Sequence, residues 1–221
     1  MIRITEPELM EESEQALAYG RADFEEPHSN FMRLLRARCP FAANARAVLD
    51  LGCGTGDITF RLAEAFSGSV IDALDGSEAM LSYARDELEK RPEFKERIRF
   101  IRRMIQEYEV SKYYDLISSN SLLHHIRDPA QFWQAVKRLS GPGTSVFIMD
   151  LLRPVSPDEA RRLVETHSPN EPDILKRDFY NSLLAAFEIG EVTAQLDTAG
   201  LGYFTVEQSS DRHLIVYGVR E

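Results

Sequence analysis

Val48-Leu49-Asp50-Leu51-Gly52-Cys53-Gly54-Thr55-Gly56-Asp57 is the stretch that decides how the rest of this chain is read. An apolar run from Ala47 to Leu51 gives way to three glycines at alternate positions. Ile58, Phe60, Leu62, Ala63 and Phe66 then recur at helical spacing. The pattern predicts a buried strand that turns through glycines into a helix. Lacking a Cβ, such a turn brings bare backbone against a ligand.

Working outward, the same rhythm repeats. Ser69 to Leu74 reads as a second apolar strand and ends in Asp75-Gly76-Ser77, where Ser77 is placed to cap a helix carrying Met80, Leu81, Ala84 and Leu88. Ile98, Phe100 and Ile101 mark a third strand and Tyr113 to Ser118 a fourth. Asp128-Pro129 opens a helix with Phe132, Trp133, Val136 and Leu139, and Gly141-Pro142-Gly143 turns the chain into a fifth strand, Ser145 to Met149. Alternation of this kind argues for parallel βαβ units, whose ligands sit beyond the carboxyl ends of the strands. Gly52 to Gly56, Asp75, Asn120 and Asp150 therefore fall on one rim.

The flanks differ. A helix is expected from Pro7 to about Tyr19, ended by Gly20. An acidic link through Asp23, Glu25, Glu26 and Pro27 leads to a second helix with Phe31, Leu34 and Leu35 inward, which Cys39-Pro40 stops. Residues 1–44 thus form a helical cap ahead of a core at 45–150. Beyond Asp150, Ser156-Pro157-Asp158-Glu159 is a strong helix start, Pro169 and Pro172 break the pattern, and Ile174 to Phe187 is helical again, giving an insertion or lid at 151–190. Residues 191–221 supply a helix ended by Gly200 and two strands, Phe204 to Val206 and His213 to Val219. The short link between those strands permits only an antiparallel pair.

The totals set bounds. With 221 residues, 43% of them hydrophobic, one domain spanning 1–221 is the expectation. A net charge of -10 disfavours broad contact with nucleic acid or an anionic membrane, and Arg99, Arg102 and Arg103 read as solvated charge beside a strand. Two cysteines give no disulfide framework, no run reaches membrane-spanning length, and the amino terminus lacks a leader pattern. A cytoplasmic monomer or homodimer is the default.

The ligand follows from one residue. A dinucleotide fingerprint would need its third glycine at position 57, where this chain has Asp57. A carboxylate at the opening of the helix occupies the place of a pyrophosphate. A ligand without phosphate, bearing an ammonium or a sulfonium, suits that charge better, and S-adenosylmethionine is one.

At this point the chain resembles the class I S-adenosylmethionine-dependent methyltransferases, in particular the small-molecule branch with a Leu-His-His segment after the fourth strand. The glycine stretch matches the family's first motif. Leu-Asp-Gly-Ser-Glu-Ala-Met-Leu around Asp75 resembles the second, and Tyr114 to Asn120 followed by Leu123-His124-His125 resembles the fourth. The resemblance implies an α/β, Rossmann-like three-layer sandwich with a seven-stranded, mostly parallel sheet and an antiparallel last strand. It implies that Gly52, Gly54 and Gly56 admit the cofactor to the backbone. Asp75, followed by Gly76, would take the ribose hydroxyls, Asp50 would lie near the ammonium, Met80 would flank the adenine, and Asn120 would stand at the methionyl end. Where the family often has Gly-Asp-Ala after strand three, this chain has Arg103-Met104-Ile105, so Met104 and Ile105 would edge the adenine without a carboxylate.

Each assignment has a plainer competitor. Asp50 is also a residue that satisfies nearby N–H groups, Asp75 also a cap, and Met80 also core. Adjacent histidines on a helical turn do not share a face, so one of His124 and His125 is expected to be structural and His125 to reach the pocket. Either imidazole would serve as base for an oxygen or amine acceptor. Tyr19, Arg21 and Asp23 are candidate lid or substrate groups. No metal-ligand spacing is visible among His28, His124, His125, His167 and His213, so no metal is expected. The expected activity is transfer of a methyl group to an O, N or S atom of a small molecule. A non-catalytic S-adenosylmethionine-binding partner subunit and an RNA methyltransferase are the alternatives, and Asp57 argues against a nicotinamide oxidoreductase.

Overall fold

The computed structural model describes residues 1–109 and 113–221. Its centre is β1 (Ala47–Leu51), whose side chains alternate between two buried faces. Leu49 and Leu51 join Ile117, Val146, Phe132 and Trp133 on one side, while Val48 joins Ile71, Leu116, Phe147 and Phe31 on the other. Both faces being dry, the strand reads as a continuous apolar run.

The remaining strands are β2 (Val70–Asp75), β3 (Ile98–Arg102), β4 (Leu116–Asn120), β5 (Ser145–Leu151), β6 (Thr205–Gln208) and β7 (His213–Val219). They form one sheet in the order β3-β2-β1-β4-β5-β7-β6. Strands β1 to β5 pair in parallel, and β7 is antiparallel to both β5 and β6. This is the expected Rossmann-like sandwich with a reversed last strand. The order switches direction between β1 and β4, where the chain leaves their carboxyl ends on opposite faces and opens a crevice.

Helices α3 (Asp57–Ala65), α4 (Glu78–Glu89) and α5 (Pro129–Leu139) follow β1, β2 and β4. Ser77 caps α4 by accepting from Met80 N–H at 3.2 Å, and Asp128 caps α5 by accepting from Ala130 N–H at 3.1 Å, as expected. The final helix, α8 (Ile189–Ala199), ends at Gly200 in the left-handed conformation. Arg99 is not free charge: its guanidinium holds Asp72 on β2 through two bonds of 2.6 and 2.9 Å.

The flanks depart from expectation at the amino end. The first helix, α1, runs Ser13–Arg21, and residues 1–12 are irregular. Pro7 therefore lies in a strap and not in a first helical turn, and Gly20 lies inside the helix. Long-range bonds hold the strap: Ile4 N–H donates to Leu184 O at 2.9 Å, and Ser77 Oγ donates to Met10 O at 2.6 Å. The second helix, α2 (Glu25–Arg38), begins earlier than the acidic residues suggested, with Pro27 in its first turn. The insertion holds α6 (Pro157–His167) and α7 (Asp173–Ala185). Gln15 Nε2 on α1 donates to Asp178 Oδ2 on α7 at 2.6 Å, so the two flanks meet.

Candidate functional site

The glycine turn after β1 is built by conformation. Gly52, Gly54 and Gly56 have φ of +69°, +52° and +88°, a region that costs any other residue. A Cβ on Gly54 would meet nothing within 4 Å, so its backbone faces open space. On Gly52 it would strike Leu122, and on Gly56 it would press on Phe100, Phe60 and Ala84. Two of the three glycines border a cavity, whereas Gly56 is buried in core and does not.

That cavity measures about 420 Å³, within the range of about 300–1,000 Å³ usual for small-molecule sites. It lies beyond the carboxyl ends of β1, β2, β4 and β5. Asp50, Gly52, Gly54, Asp75, Gly76, Met80, Met104, Ile105 and Asn120 all line it, together with Tyr19 and Asp23. Arg21 does not; its side chain is exposed on the outer surface of α1. Both flanks contribute walls, through α1 and α2 on one side and α6 and α7 on the other. All five histidines of the chain line the cavity.

Asp75 is fixed by backbone donors. Its Oδ2 accepts from Gly54 N–H at 2.9 Å and its Oδ1 from Ser77 N–H at 2.8 Å, and burial raises its carboxyl above the ordinary range. It thus pins the glycine turn to the start of α4 while remaining on the cavity wall. Among the described residues Asp50 bonds no loop N–H. Its carboxylate accepts from Thr59 Oγ1 at 2.7 Å and Ser118 Oγ at 3.2 Å, and burial pushes it up to about 7. Asn120 Oδ1 is buried and, among the described residues, without a partner, a state that a ligand donor would relieve. Ser121, next along, has φ +56°, a strained backbone at the same edge. An open glycine turn, an orphaned carbonyl and buried carboxylates fit a ligand with amine and hydroxyl donors, as S-adenosylmethionine has.

The histidines sit on a 3-10 turn, Leu123–His125, and the expectation that only one reaches the pocket fails. The tight turn places the rings 4.2 Å apart between centroids, and both line the cavity. His124 Nδ1 lies 2.7 Å from Asp150 Oδ1, while Asp150 also accepts from Leu123 N–H at 2.7 Å. Burial alone would lower the His124 imidazole, but Asp150 and then Glu6 outweigh it and the net shift is upward. His125 is pushed down to about 3 by burial, with His124 adding to the effect. Burial pushes the Tyr19 phenol up to about 12. Asp57, the residue that argued against a dinucleotide, is held by His28 Nδ1 and by Arg61 Nε, the latter at 2.8 Å. Burial opposes ionisation there, and the two hydrogen bonds bring the carboxyl below its usual range.

Residues 43–190, about two thirds of the chain, match a family model described as a methyltransferase domain. The chain belongs to this methyltransferase family. It is 33% identical over 152 residues to the trans-aconitate 2-methyltransferase of Deinococcus radiodurans, covering 67% of this chain and 53% of that protein. To the malonyl-(acyl-carrier protein) O-methyltransferase of Halalkalibacterium halodurans it is 34% identical over 86 residues, 39% of this chain and 32% of the relative. The chain spans between a fifth and about half the length of the curated relatives it matches. Among solved structures, a SAM dependent methyltransferase from Aquifex aeolicus aligns with TM-score 0.67 at 17% identity, over 94% of this chain and 98% of that one. The plantazolicin methyltransferase BpumL, in complex with a desmethylPZN analog and SAH, aligns with TM-score 0.70 at 14% identity, over 94% and 90%. Likeness at that identity shows the fold.

The candidate site contains groups that sequence reasoning passed over. Thr59 holds Asp50 from the buried face of α3; a polar residue among Ile58, Phe60 and Leu62 was the available signal. Asp150 was placed on the rim without a role, and it is the partner of His124. Glu6 carries no local signal, because its neighbours His124, His125 and Ser182 are far along the chain.

Proposed function

We propose that this domain transfers a methyl group from S-adenosylmethionine to an O, N or S atom of a small molecule by in-line displacement. The observation that carries the reading is the cavity wall where the open backbone of Gly54, the Asp75 carboxylate and the unpartnered Asn120 Oδ1 converge. Asp75 would accept from the ribose hydroxyls, Met80, Met104 and Ile105 would edge the adenine, and Asp50 and Asn120 would take the donors of the methionyl end. The cofactor supplies a methyl group already activated by a sulfonium, so little acid chemistry is asked of the protein.

The chain's own task is to align the acceptor and to exclude water. The two flanks closing over the rim serve that task, with Tyr19 and Asp23 on one wall and Ser182 of α7 on another. His124 and His125 form the polar end of the acceptor compartment. His124 is committed to Asp150 through Nδ1, so only its Nε2 is available to the interior. A small acceptor suits the enclosed volume, and it suits a relative named for trans-aconitate.

Titration calorimetry of the purified protein with S-adenosylmethionine and S-adenosylhomocysteine tests the reading. Saturable binding of both at one site is the expected result, followed by transfer of labelled methyl to a small-molecule fraction of a cell extract. Absence of binding by either ligand overturns it, and binding without transfer to any extract fraction supports the partner-subunit alternative.

A further inference from the structure

Two histidines of the cavity wall and a glutamate of the strap stand in an arrangement that methyl transfer does not ask for. Glu6 Oε1 lies 3.2 Å from His125 Nδ1 and 3.6 Å from His124 Nε2, and the three residues each offer one ligand atom within 4.8 Å of the other two. The longer separation is beyond a hydrogen bond, and at the shorter one His125 Nδ1 still makes none; it is buried with no partner among the described residues. A buried imidazole nitrogen left in this state, beside a carboxylate it does not bond, is costly unless something joins the two.

We propose that Glu6, His124 and His125 form a binding site for a divalent transition ion of the zinc class. Zinc held at about 2.0–2.2 Å by nitrogen and oxygen ligands in a tetrahedron keeps them about 3.4 Å apart, which the two carboxylate–imidazole separations bracket. Two imidazoles and one carboxylate are a three-ligand set that leaves a fourth position open. The set is wrong for calcium or magnesium, which take oxygen ligands. The support around it is also that of a metal site. Asp150 holds His124 Nδ1 at 2.7 Å, turning Nε2 to the centre, and Ser182 Oγ donates to Glu6 Oε1 at 3.0 Å. Glu6 is carried in by the strap, which Arg3 ties to the histidine turn through bonds to His124 O at 2.8 Å and Ile126 O at 3.0 Å.

Because both histidines line the cavity, the ion would stand at the acceptor end. There it would lower the pKa of a hydroxyl or thiol taken at its open position, the proton leaving to solvent. That role rests on the methyl-transfer reading; the binding site does not.

Metal-stripped protein titrated with zinc in competition with a chromophoric chelator, and with cobalt followed by its visible absorption, tests the site. One equivalent bound, with a tetrahedral or five-coordinate cobalt spectrum, is expected. Glu6→Gln, which keeps the acceptor for Ser182, and His125→Ala should each weaken zinc binding at least tenfold, while His167→Asn should not. Circular dichroism and S-adenosylmethionine binding on the same samples separate loss of the site from loss of the fold or of the methyl-donor reading. Failure to bind either ion, or binding that Glu6→Gln and His125→Ala both leave unchanged in folded protein, overturns the proposal.

Discussion

Gly54 and Gly56 stand two residues apart, both at positive φ, in different surroundings. Alanine at either position meets the cost of a left-handed backbone, about 1–2 kcal/mol. At Gly56 the new methyl would also approach Phe100, Phe60 and Ala84 at 3.0 to 3.3 Å, adding overpacking of about 1–3 kcal/mol. Gly56→Ala should therefore lower the melting temperature well beyond Gly54→Ala, while Gly54→Ala, whose methyl enters the cavity, should show the larger loss of S-adenosylmethionine affinity by calorimetry. Asp50 gives a second residue-scale test. Its folded pKa of about 7 lies above the unfolded value of about 3.9, so the stability of the neutral form is fully present below about 4 and is lost as pH rises through about 7. Asp50→Asn, which keeps an acceptor for Thr59, should flatten the fall in melting temperature between pH 4 and 7. It should also weaken binding of the cationic cofactor at pH 8.

At the scale of elements, the strap at residues 1–12 shows why part of this chain was illegible. Leu9 and Met10 look like the start of a helical face, yet the strap's polar groups are taken by partners on α7, at the start of α4 and on the histidine turn. Local propensity is a weak prior against such tertiary bonds. Elements whose signals are local, such as the capped starts of α4 and α5 or the turn at Gly200, were readable because the residues that make them are neighbours in sequence. Arg3 is the strap's main tie: Nε donates to Ala185 O at 2.6 Å in addition to its bonds at the histidine turn, and its guanidinium lies 3.9 Å from the centroid of Phe187. Arg3→Ala should raise amide exchange in residues 2–10 and in the last turn of α7, with exchange in β1 and β4 unchanged, as followed by mass spectrometry.

For the whole molecule, the rim and its carboxylates were legible because motif residues directly follow strands, and a parallel sheet gathers strand ends on one side. What was not legible is how the covers meet over that rim, since the site's composition depends on residues from both ends of the chain. The packed sheet also protects its thiols. Cys39 is 3% exposed, its Sγ lies 3.5 Å from Val146 O on β5, and burial pushes the thiol up to about 12. Its alkylation by iodoacetamide should be negligible in native protein at pH 8 and should rise only along the urea unfolding curve, making Cys39 a reporter of global opening. Fast labelling in native buffer would show that α2 opens independently of the sheet.

The gathering of all five histidines around one cavity has a spectroscopic consequence. In a proton–nitrogen correlation spectrum tuned to imidazoles, every ring signal of this protein belongs to the cavity wall. Three of those rings are paired with carboxylates, His28 with Asp57, His124 with Asp150 and His167 with Asp211. The tautomer pattern of five resonances is thus a label-free map of the site, on which methyl donor, acceptor and metal ion would each leave a different imprint.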